Sequence, residues 1–262
     1  MQPQKASETI SSLGRGLEVL SLLEKGGGVS LANLHRATGF SKSSLVRILN
    51  TLAEHGFIRR RGDGTWWLCW RAGRNAAAQR KMLLADRALE LLPALTKLIG
   101  WPIDVFVYDR GMMELIETTR DNLNFEVVSV GHRVPVLASA VGRCWLGLCS
   151  DEERAQMIER LRRSASGYDR PAHNEDYCRE LVETVRAEGH ATRIRGYHSA
   201  ITRPGNSNMA MAVPVLTSAG IAACLNVVWD TRFAAIPDFA EKWLSTLQDA
   251  ASRLGQRIAD DV

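Results

Sequence analysis

The sequence has few cysteines, no long apolar run and no apolar leader, and each absence removes a class of protein. The five cysteines are scattered, with no Cys-x-x-Cys pair, which argues against a disulfide framework and against the common zinc spacings. No uninterrupted apolar run approaches the roughly 20 residues that a membrane-spanning helix needs. Because the segment from Met1 to Thr9 is polar, we expect a cytoplasmic protein. The 262 residues suffice for one large domain or two smaller ones.

Positive charge is concentrated at one end of the chain. The net charge is +4, yet residues 1–71 hold ten lysines and arginines against five acidic residues. The remaining residues hold 23 basic and 24 acidic side chains. The excess positive charge therefore lies entirely in the N-terminal segment, which is typical of a polyanion-binding module joined to a near-neutral one.

The segment from Gly39 to Gly56 has the pattern of a short amphipathic helix rich in hydrogen-bond donors. Ser41 is a good N-cap, because its hydroxyl can accept a hydrogen bond from an amide of the first turn. One apolar stripe follows at helical spacing, formed by Leu45, Ile48, Leu49 and Leu52. The other faces carry donors, namely Lys42, Ser43, Ser44, Arg47 and Asn50. Such a helix can enter a DNA groove, although an ordinary surface helix can have the same pattern.

The neighbouring segments favour DNA binding. Residues 12–25 predict a helix, and Ser30 caps a second helix over 31–38 that Gly39 ends, so the two short helices form a helix-turn-helix. Two strand-like runs, 57–61 and 65–70, flank Gly62-Asp63-Gly64 and predict a β-hairpin, the wing of a winged helix. We take the tryptophans of the second run as core residues. The predicted DNA contacts are Ser30, Ser41, Lys42, Ser43, Ser44, Arg47, Arg59, Arg60 and Arg61, with Arg47 as the reader of a guanine.

The rest of the chain predicts a linker helix followed by a larger domain. Residues 71–81 are rich in Ala and Arg, and 85–99 form an amphipathic helical pattern that contains Pro93. Apolar strands are predicted at 103–109, 113–119, 126–130, 209–216 and 221–229. Residues 135–148 suit a loop that enters a buried helix, and further helices are predicted from Asp151, at 177–188 and at 240–258. The predicted fold class is α+β, with an antiparallel sheet covered by helices. We predict a winged helix-turn-helix domain over 8–71, a linker helix over 72–84 and an effector-binding domain over 85–262.

No catalytic motif is present. The sequence lacks G-x-S-x-G, H-E-x-x-H, a P-loop and a dinucleotide-binding glycine motif, and its six histidines show no ligand spacing. Asp104 and Asp109 lie on opposite faces of one predicted strand, so they do not form a carboxylate dyad. We therefore predict no enzyme activity, no cofactor and no metal. Small or polar residues interrupt apolar segments and predict a pocket for a small anionic or phenolic ligand, lined by Arg133, Ser139, Gly142, Tyr197, His198, Ala210 and Asn226.

Two other function classes stay open on these residues alone. One is an enzyme whose basic N-terminal segment only docks on nucleic acid. The other is an RNA-binding module, against which the lack of exposed aromatic stacking motifs counts.

Several stretches resemble the IclR family of bacterial transcription regulators. They are Leu13-Gly-Arg-Gly-Leu-Glu-Val-Leu, the run from Thr38 to Leu52, Glu54-His-Gly-Phe-Ile, the run from Gly131 to Gly142, Met211-Ala-Val-Pro-Val and Ala223-Cys-Leu-Asn-Val-Val. The resemblance implies a winged helix, a linker helix and a GAF-like effector domain. It also implies a homodimer or homotetramer on a palindromic double-stranded DNA operator, and a function as a ligand-responsive regulator of a catabolic operon, with no membrane partner.

A narrower set of motifs is similar to the branch that regulates hydroxyphenylpropionate breakdown. The motifs are Trp101-Pro-Ile-Asp-Val, Glu117-Thr-Thr, Gly131-x-Arg133-x-Pro135-x-Leu137 and Cys224-Leu-Asn. This similarity implies a small aromatic acid as effector and an activator function, while the residues by themselves leave activator and repressor both open. Two features depart from the family pattern: Ser41 stands where many members have proline, and residues 195–199 lack the acid-rich run of several members, which speaks against a pocket built on a carboxylate there.

Overall fold

The computed structural model describes residues 10–24, 29–60, 64–68, 76–120, 128, 130–197 and 207–259. The chain divides into two compact units, residues 1–75 and 76–262. Within the described ranges, no helix combines the length and the apolar character needed to cross a membrane.

The first unit is a winged helix-turn-helix, as the sequence predicts. Its elements are helices α1 (Ser11–Glu24), α2 (Leu31–Thr38) and α3 (Lys42–Glu54) and the antiparallel hairpin of β1 (Ile58–Arg60) and β2 (Trp66–Leu68). Its buried core consists of Val19, Leu23, Leu34, Leu45, Leu49 and Ile58. Helix α1 contributes only one face to this core, because Leu13 and Leu17 are 58% and 54% exposed. Local signals define the turn between α2 and α3, where Gly39 adopts φ +71° and its amide donates to His35 O.

The second unit is a six-stranded antiparallel sheet between two helical layers. Its strands are β3 (Ile103–Asp109), β4 (Met112–Thr118), β5 (Arg133–Pro135), β6 (Ala191–Thr192), β7 (Asn208–Thr217) and β8 (Gly220–Asp230), in the spatial order β5-β4-β3-β8-β7-β6. The helices are α4 (Ala76–Ile99), α5 (Ala140–Leu148), α6 (Asp151–Arg162), a 3-10 helix (Gly167–His173), α7 (Glu175–Glu188) and α8 (Ile236–Ala259). This architecture confirms the predicted α+β class.

Each face of the sheet has its own apolar core. Helices α4 and α8 pack on one face, where Trp229 stacks on Phe239 with ring centroids 4.0 Å apart. Helices α5, α6 and α7 cover the other face through side chains such as Leu146, Met157 and Leu181. Because side chains alternate along a strand, neighbouring residues of one strand belong to different cores. This alternation determines which residues can reach the cavity described below.

One predicted element differs from the observed one. The helical patterns of 71–81 and 85–99 belong, from Ala76 onward, to the single helix α4, which continues past Pro93 to Ile99. Most of the predicted strand 126–130 lies outside the described residues. The sequence pattern did not predict β5 at Arg133–Pro135. The sequence pattern also did not predict β6, a two-residue strand too short to show alternation.

Candidate nucleic-acid interface and ligand cavity

Helix α3 exposes one face and buries the opposite one. Leu45 and Leu49 are fully buried, whereas Lys42, Ser43, Val46, Arg47 and Asn50 are exposed. The exposed face holds a lysine, an arginine and an amide that can bond to phosphates and base edges in a major groove. The geometry thus supports a recognition helix, with its N-terminal turns as the most polar part.

The serines at the start of α3 bond chiefly to one another. Ser41 accepts a hydrogen bond from the Ser44 amide at 3.2 Å, and its hydroxyl lies 3.0 Å from the Ser44 hydroxyl and 3.1 Å from that of Ser43. These contacts fix the first turn. Ser30 caps α2 in the same way, accepting from the Asn33 amide at 3.2 Å. Both caps orient helix N-termini, whose amides are suited to bind phosphate.

The wing arginines occupy unequal positions. Arg60 is exposed and its guanidinium lies 5.8 Å from the centroid of the Trp66 ring, while Arg59 is half-buried and engaged in contacts. Arg61 lies outside the described residues. Trp67 is buried and its indole donates to Thr65 Oγ1 at 2.8 Å, in agreement with a core position for this tryptophan.

Two further residues of the exposed α3 face are absent from the predicted contacts. Val46 is 40% exposed between Lys42 and Asn50. An apolar side chain in a groove can contact a thymine methyl group, and an asparagine can bond to adenine through two hydrogen bonds. The sequence already indicates that Val46 is exposed. Val46 is not at one of the positions i, i+3, i+4 and i+7 of the apolar stripe that begins at Leu45, so it lies on another face of the helix.

The second unit contains a cavity of about 70 Å³ between the sheet and α5. Four of the predicted effector contacts line it: Ser139, Tyr197, Ala210 and Asn226. The other lining residues include Phe106, Arg120, His132, Val134, Arg193 and Val228. A more open cavity of about 340 Å³ adjoins it, since Arg193 and Asn208 line both.

A buried ion pair lies at the cavity wall. Asp104 has no exposed surface and accepts hydrogen bonds from Arg120 Nε at 2.9 Å and Arg120 Nη2 at 2.6 Å. It also accepts from Thr118 Oγ1 at 2.7 Å and from Asn226 Nδ2 at 3.0 Å. The arginine of the cavity wall is therefore held in a fixed orientation by a carboxylate on the neighbouring strand.

Two neutral side chains complete the polar part of the wall. Burial lowers the pKa of His132, and the nearby guanidinium of Arg120 lowers it further; its Nε2 is buried without a hydrogen-bond partner. Burial raises the pKa of the Tyr197 phenol well above its ordinary value, and this ring meets Tyr168 edge-on at 5.1 Å. An imidazole and a phenol that both remain uncharged at neutral pH thus stand beside a fixed guanidinium.

Two predicted effector contacts, Arg133 and Gly142, are not found at this cavity, and a third, His198, is not tested. Arg133 points to the other face of the sheet and pairs there with Asp109. Gly142 allows α5 to approach the backbone of Val136 closely, because a Cβ at this position would lie 2.3 Å from Val136 Cα. His198 lies outside the described residues. Within the described part of the chain, no cluster of three His, Cys, Asp or Glu side chains could hold a metal ion.

Comparison with known proteins agrees with this geometry. Residues 12–62 match the IclR helix-turn-helix domain. The chain is 27% identical over 164 residues to the transcriptional repressor IclR of Escherichia coli K12, a region that is 59% of each chain. It is 27% identical over 162 residues to the acetate operon repressor of Salmonella typhimurium LT2, covering 58% of this chain and 57% of that protein. The matched region is therefore less than two thirds of these relatives.

Solved structures extend the similarity of fold to nearly the whole chain. The IclR of Thermotoga maritima aligns with a TM-score of 0.54 at 17% identity, over 96% of this chain and 100% of that one. An IclR-family transcriptional regulator from Brucella abortus aligns with a TM-score of 0.53 at 19% identity, over 97% and 94%. Residues 12–62 are thus similar to the IclR helix-turn-helix domain, and the chain as a whole shares the fold of these two solved structures.

Proposed function

We propose that this chain is a ligand-responsive transcription regulator that binds double-stranded DNA. The observation that carries the proposal is the exposed, donor-bearing face of α3 within an IclR helix-turn-helix domain. The excess positive charge of residues 1–71 supports it, because phosphate contacts supply much of the affinity for DNA. The names of the matched relatives, two repressors, favour the same function over an enzyme.

The role that we propose for each DNA-contacting residue follows from the position of its side chain. Arg47 reads a guanine, because its planar fork matches two acceptors at the major-groove edge. Lys42 and Arg60 contact phosphates, and the α2 and α3 N-termini behind Ser30 and Ser41 fix the orientation on the backbone. The other proposed DNA contacts are Ser43, Ser44, Arg59 and Arg61.

We further propose a homodimer or homotetramer on a palindromic operator. A single helix-turn-helix covers one half-site, and two-fold symmetric proteins bind half-sites about one helical turn apart. The exposed Leu13 and Leu17 of α1 supply apolar surface that association could bury.

For the cavity we propose a small organic or aromatic acid from a catabolic pathway as effector. Arg120 and Arg193 provide positive charge, and Tyr197 and Ser139 provide hydroxyl groups. A cavity of about 70 Å³ suits a compact acid. The name of the acetate operon repressor supports the link to organic-acid metabolism.

DNA binding is tested by selecting bound fragments from genomic DNA and measuring their affinity by fluorescence anisotropy. Arg47→Ala should cost about 1–3 kcal/mol at one base position and relax specificity there. Arg60→Ala should reduce the slope of log affinity against log salt by about one unit. Arg163→Ala in the second unit removes the same charge from an exposed arginine and is the matched control. The proposal fails if Arg47→Ala behaves like Arg163→Ala.

Effector binding is tested by a thermal-shift screen of benzoate, 4-hydroxyphenylpropionate, acetate and pyruvate. A binding acid should raise the melting temperature of the native chain but not of Ala210→Leu, in which a larger side chain occupies the cavity. No stabilisation by any of these acids, or equal stabilisation of the variant, contradicts the proposed ligand class or site.

A further inference from the structure

Four charged side chains form a closed group on the α4 side of the sheet, which we name the charge network. Lys81 Nζ lies 3.1 Å from Glu114 Oε2 and 3.4 Å from Asp109 Oδ1. Arg133 pairs with the Asp109 carboxylate, donates to Asp109 O at 2.9 Å and lies 3.7 Å from Glu114 Oε2. Both cations therefore share the same two carboxylates.

The charge network connects four elements of the second unit. Asp109 ends β3, Glu114 is paired in register with Arg133 across β4 and β5, and Lys81 lies near the start of α4. All four side chains are half-buried, with exposures from 15% for Glu114 to 36% for Arg133. Partial burial makes their mutual attraction stronger than that of exposed ion pairs.

Strand β5 also borders the ligand cavity. His132 and Val134, the two neighbours of Arg133, both line the cavity, whereas Arg133 points to the opposite face. This arrangement follows from the alternation of side chains along a strand. Because β5 has three residues and is an edge strand paired with β4 alone, few backbone hydrogen bonds hold it in place.

We propose that β5 and the charge network couple occupancy of the cavity to the start of helix α4. A ligand that contacts His132 or Val134 displaces β5, and this displacement moves Arg133 relative to the carboxylates of Asp109 and Glu114. Because Lys81 pairs with the same two carboxylates, its ion pairs change as well. The stability of the first turns of α4 changes as a result. In the sequence these turns directly follow the first unit.

The consequence for DNA binding rests on the proposed function, but the coupling between β5 and α4 does not. It can therefore be measured without ligand or DNA, by hydrogen–deuterium exchange of the full chain. The variants are Arg133→Met and Lys81→Met, alone and combined. Arg257→Met is the matched control, because Arg257 pairs with Glu90 of α4 at 3.0 Å outside the charge network.

Each single variant should accelerate exchange at both ends of the charge network. In Arg133→Met, amides of residues 80–88 should exchange about three- to ten-fold faster, because Arg133 pairs with the carboxylates that Lys81 shares. In Lys81→Met, residues 130–136 should respond likewise. The double variant should not exceed the larger single effect, since the residues act as one unit. Arg257→Met should leave residues 130–136 unchanged.

Arg133→Lys keeps the positive charge and should retain most of the protection against exchange that Arg133→Met loses. Core amides of β8 should be unaffected in every variant. The coupling is refuted if Arg133→Met accelerates exchange in residues 130–136 alone, or if the two single effects add. Acceleration in β8 as well as in both segments indicates general destabilisation and also refutes it. A chain that shows the coupling but binds no DNA would contradict the proposed function while leaving this inference intact.

Discussion

Asp104→Asn is the substitution that tests the buried ion pair of the cavity wall most directly. The native carboxylate has no exposed surface and accepts hydrogen bonds from Thr118, from Asn226 and twice from Arg120. An asparagine amide has one acceptor oxygen, so its NH₂ group must face donors that the carboxylate satisfied. The substitution also leaves the guanidinium of Arg120, whose side chain is only 13% exposed, without its counter-charge.

The expected loss follows from these two effects. Removing one partner of a buried ion pair costs about 3–5 kcal/mol, because the remaining charge is uncompensated. Arg120 retains some exposure to solvent, so we expect the lower end, about 3 kcal/mol. Urea unfolding of the full chain, followed by tryptophan fluorescence with buried Trp229 reporting on the second unit, measures this difference.

A double variant separates charge pairing from packing. Asp104→Leu with Arg120→Met removes both charges, so it should cost less than Asp104→Asn alone. Glu159→Gln is the control, since it breaks the exposed pair with Arg163 and should change stability by less than about 1 kcal/mol. The reasoning is refuted if Asp104→Asn is as mild as Glu159→Gln, or if the double variant is the most damaging of the three.

Two further predictions concern glycine and acid stability. Gly142→Ala should lower the free energy of unfolding by about 1–3 kcal/mol, because its Cβ would lie 2.3 Å from Val136 Cα. Gly14→Ala in α1 meets nothing within 4 Å and should stabilise its helix by about 0.5–1 kcal/mol. Urea unfolding measures the sign of each change in stability. A hydrogen bond from Arg232 holds the pKa of Asp230 well below its usual range. The charged carboxylate therefore contributes stability above about pH 4, and this contribution is lost as the pH falls. Asp230→Asn should make the free energy of unfolding depend less on pH in the acid range. An unchanged pH profile would contradict this prediction.

The first unit could be predicted from the sequence because its signals are local. The N-caps Ser30 and Ser41 and the positive φ of Gly39 each act within four residues, and the paired strands β1 and β2 are close neighbours in the sequence. The predicted winged helix-turn-helix is therefore confirmed element by element. Burial within α1 could not be predicted, because Leu13 and Val19 are equally apolar and only the packing of α2 and α3 decides which face they cover.

The cavity depended on contacts that no local pattern encodes. Asn226 bonds to Asp104 across 122 positions of the chain, and this contact exists only because β8 lies beside β3 in the sheet. Arg133 stands out in the sequence because it interrupts an apolar segment, whereas Arg120, two residues after the end of β4, carries no comparable signal. Gly142 illustrates a second ambiguity, since a small residue at a helix start fits a ligand pocket and a close backbone contact equally well.

The two carboxylates of β3 show how one sequence feature acquires two structural roles. Because five positions separate Asp104 from Asp109, they lie on opposite faces, which excludes a catalytic dyad. The same alternation brings Asp104 to Arg120 at the cavity wall and Asp109 to Arg133 in the charge network. Strand β3 thus carries one ion pair at the cavity wall and one on the α4 side of the sheet. Strand β4 separates β3 from the edge strand β5, so in the proposed coupling a small displacement of β5 alters the pair of Asp109 while the pair of Asp104 stays in place.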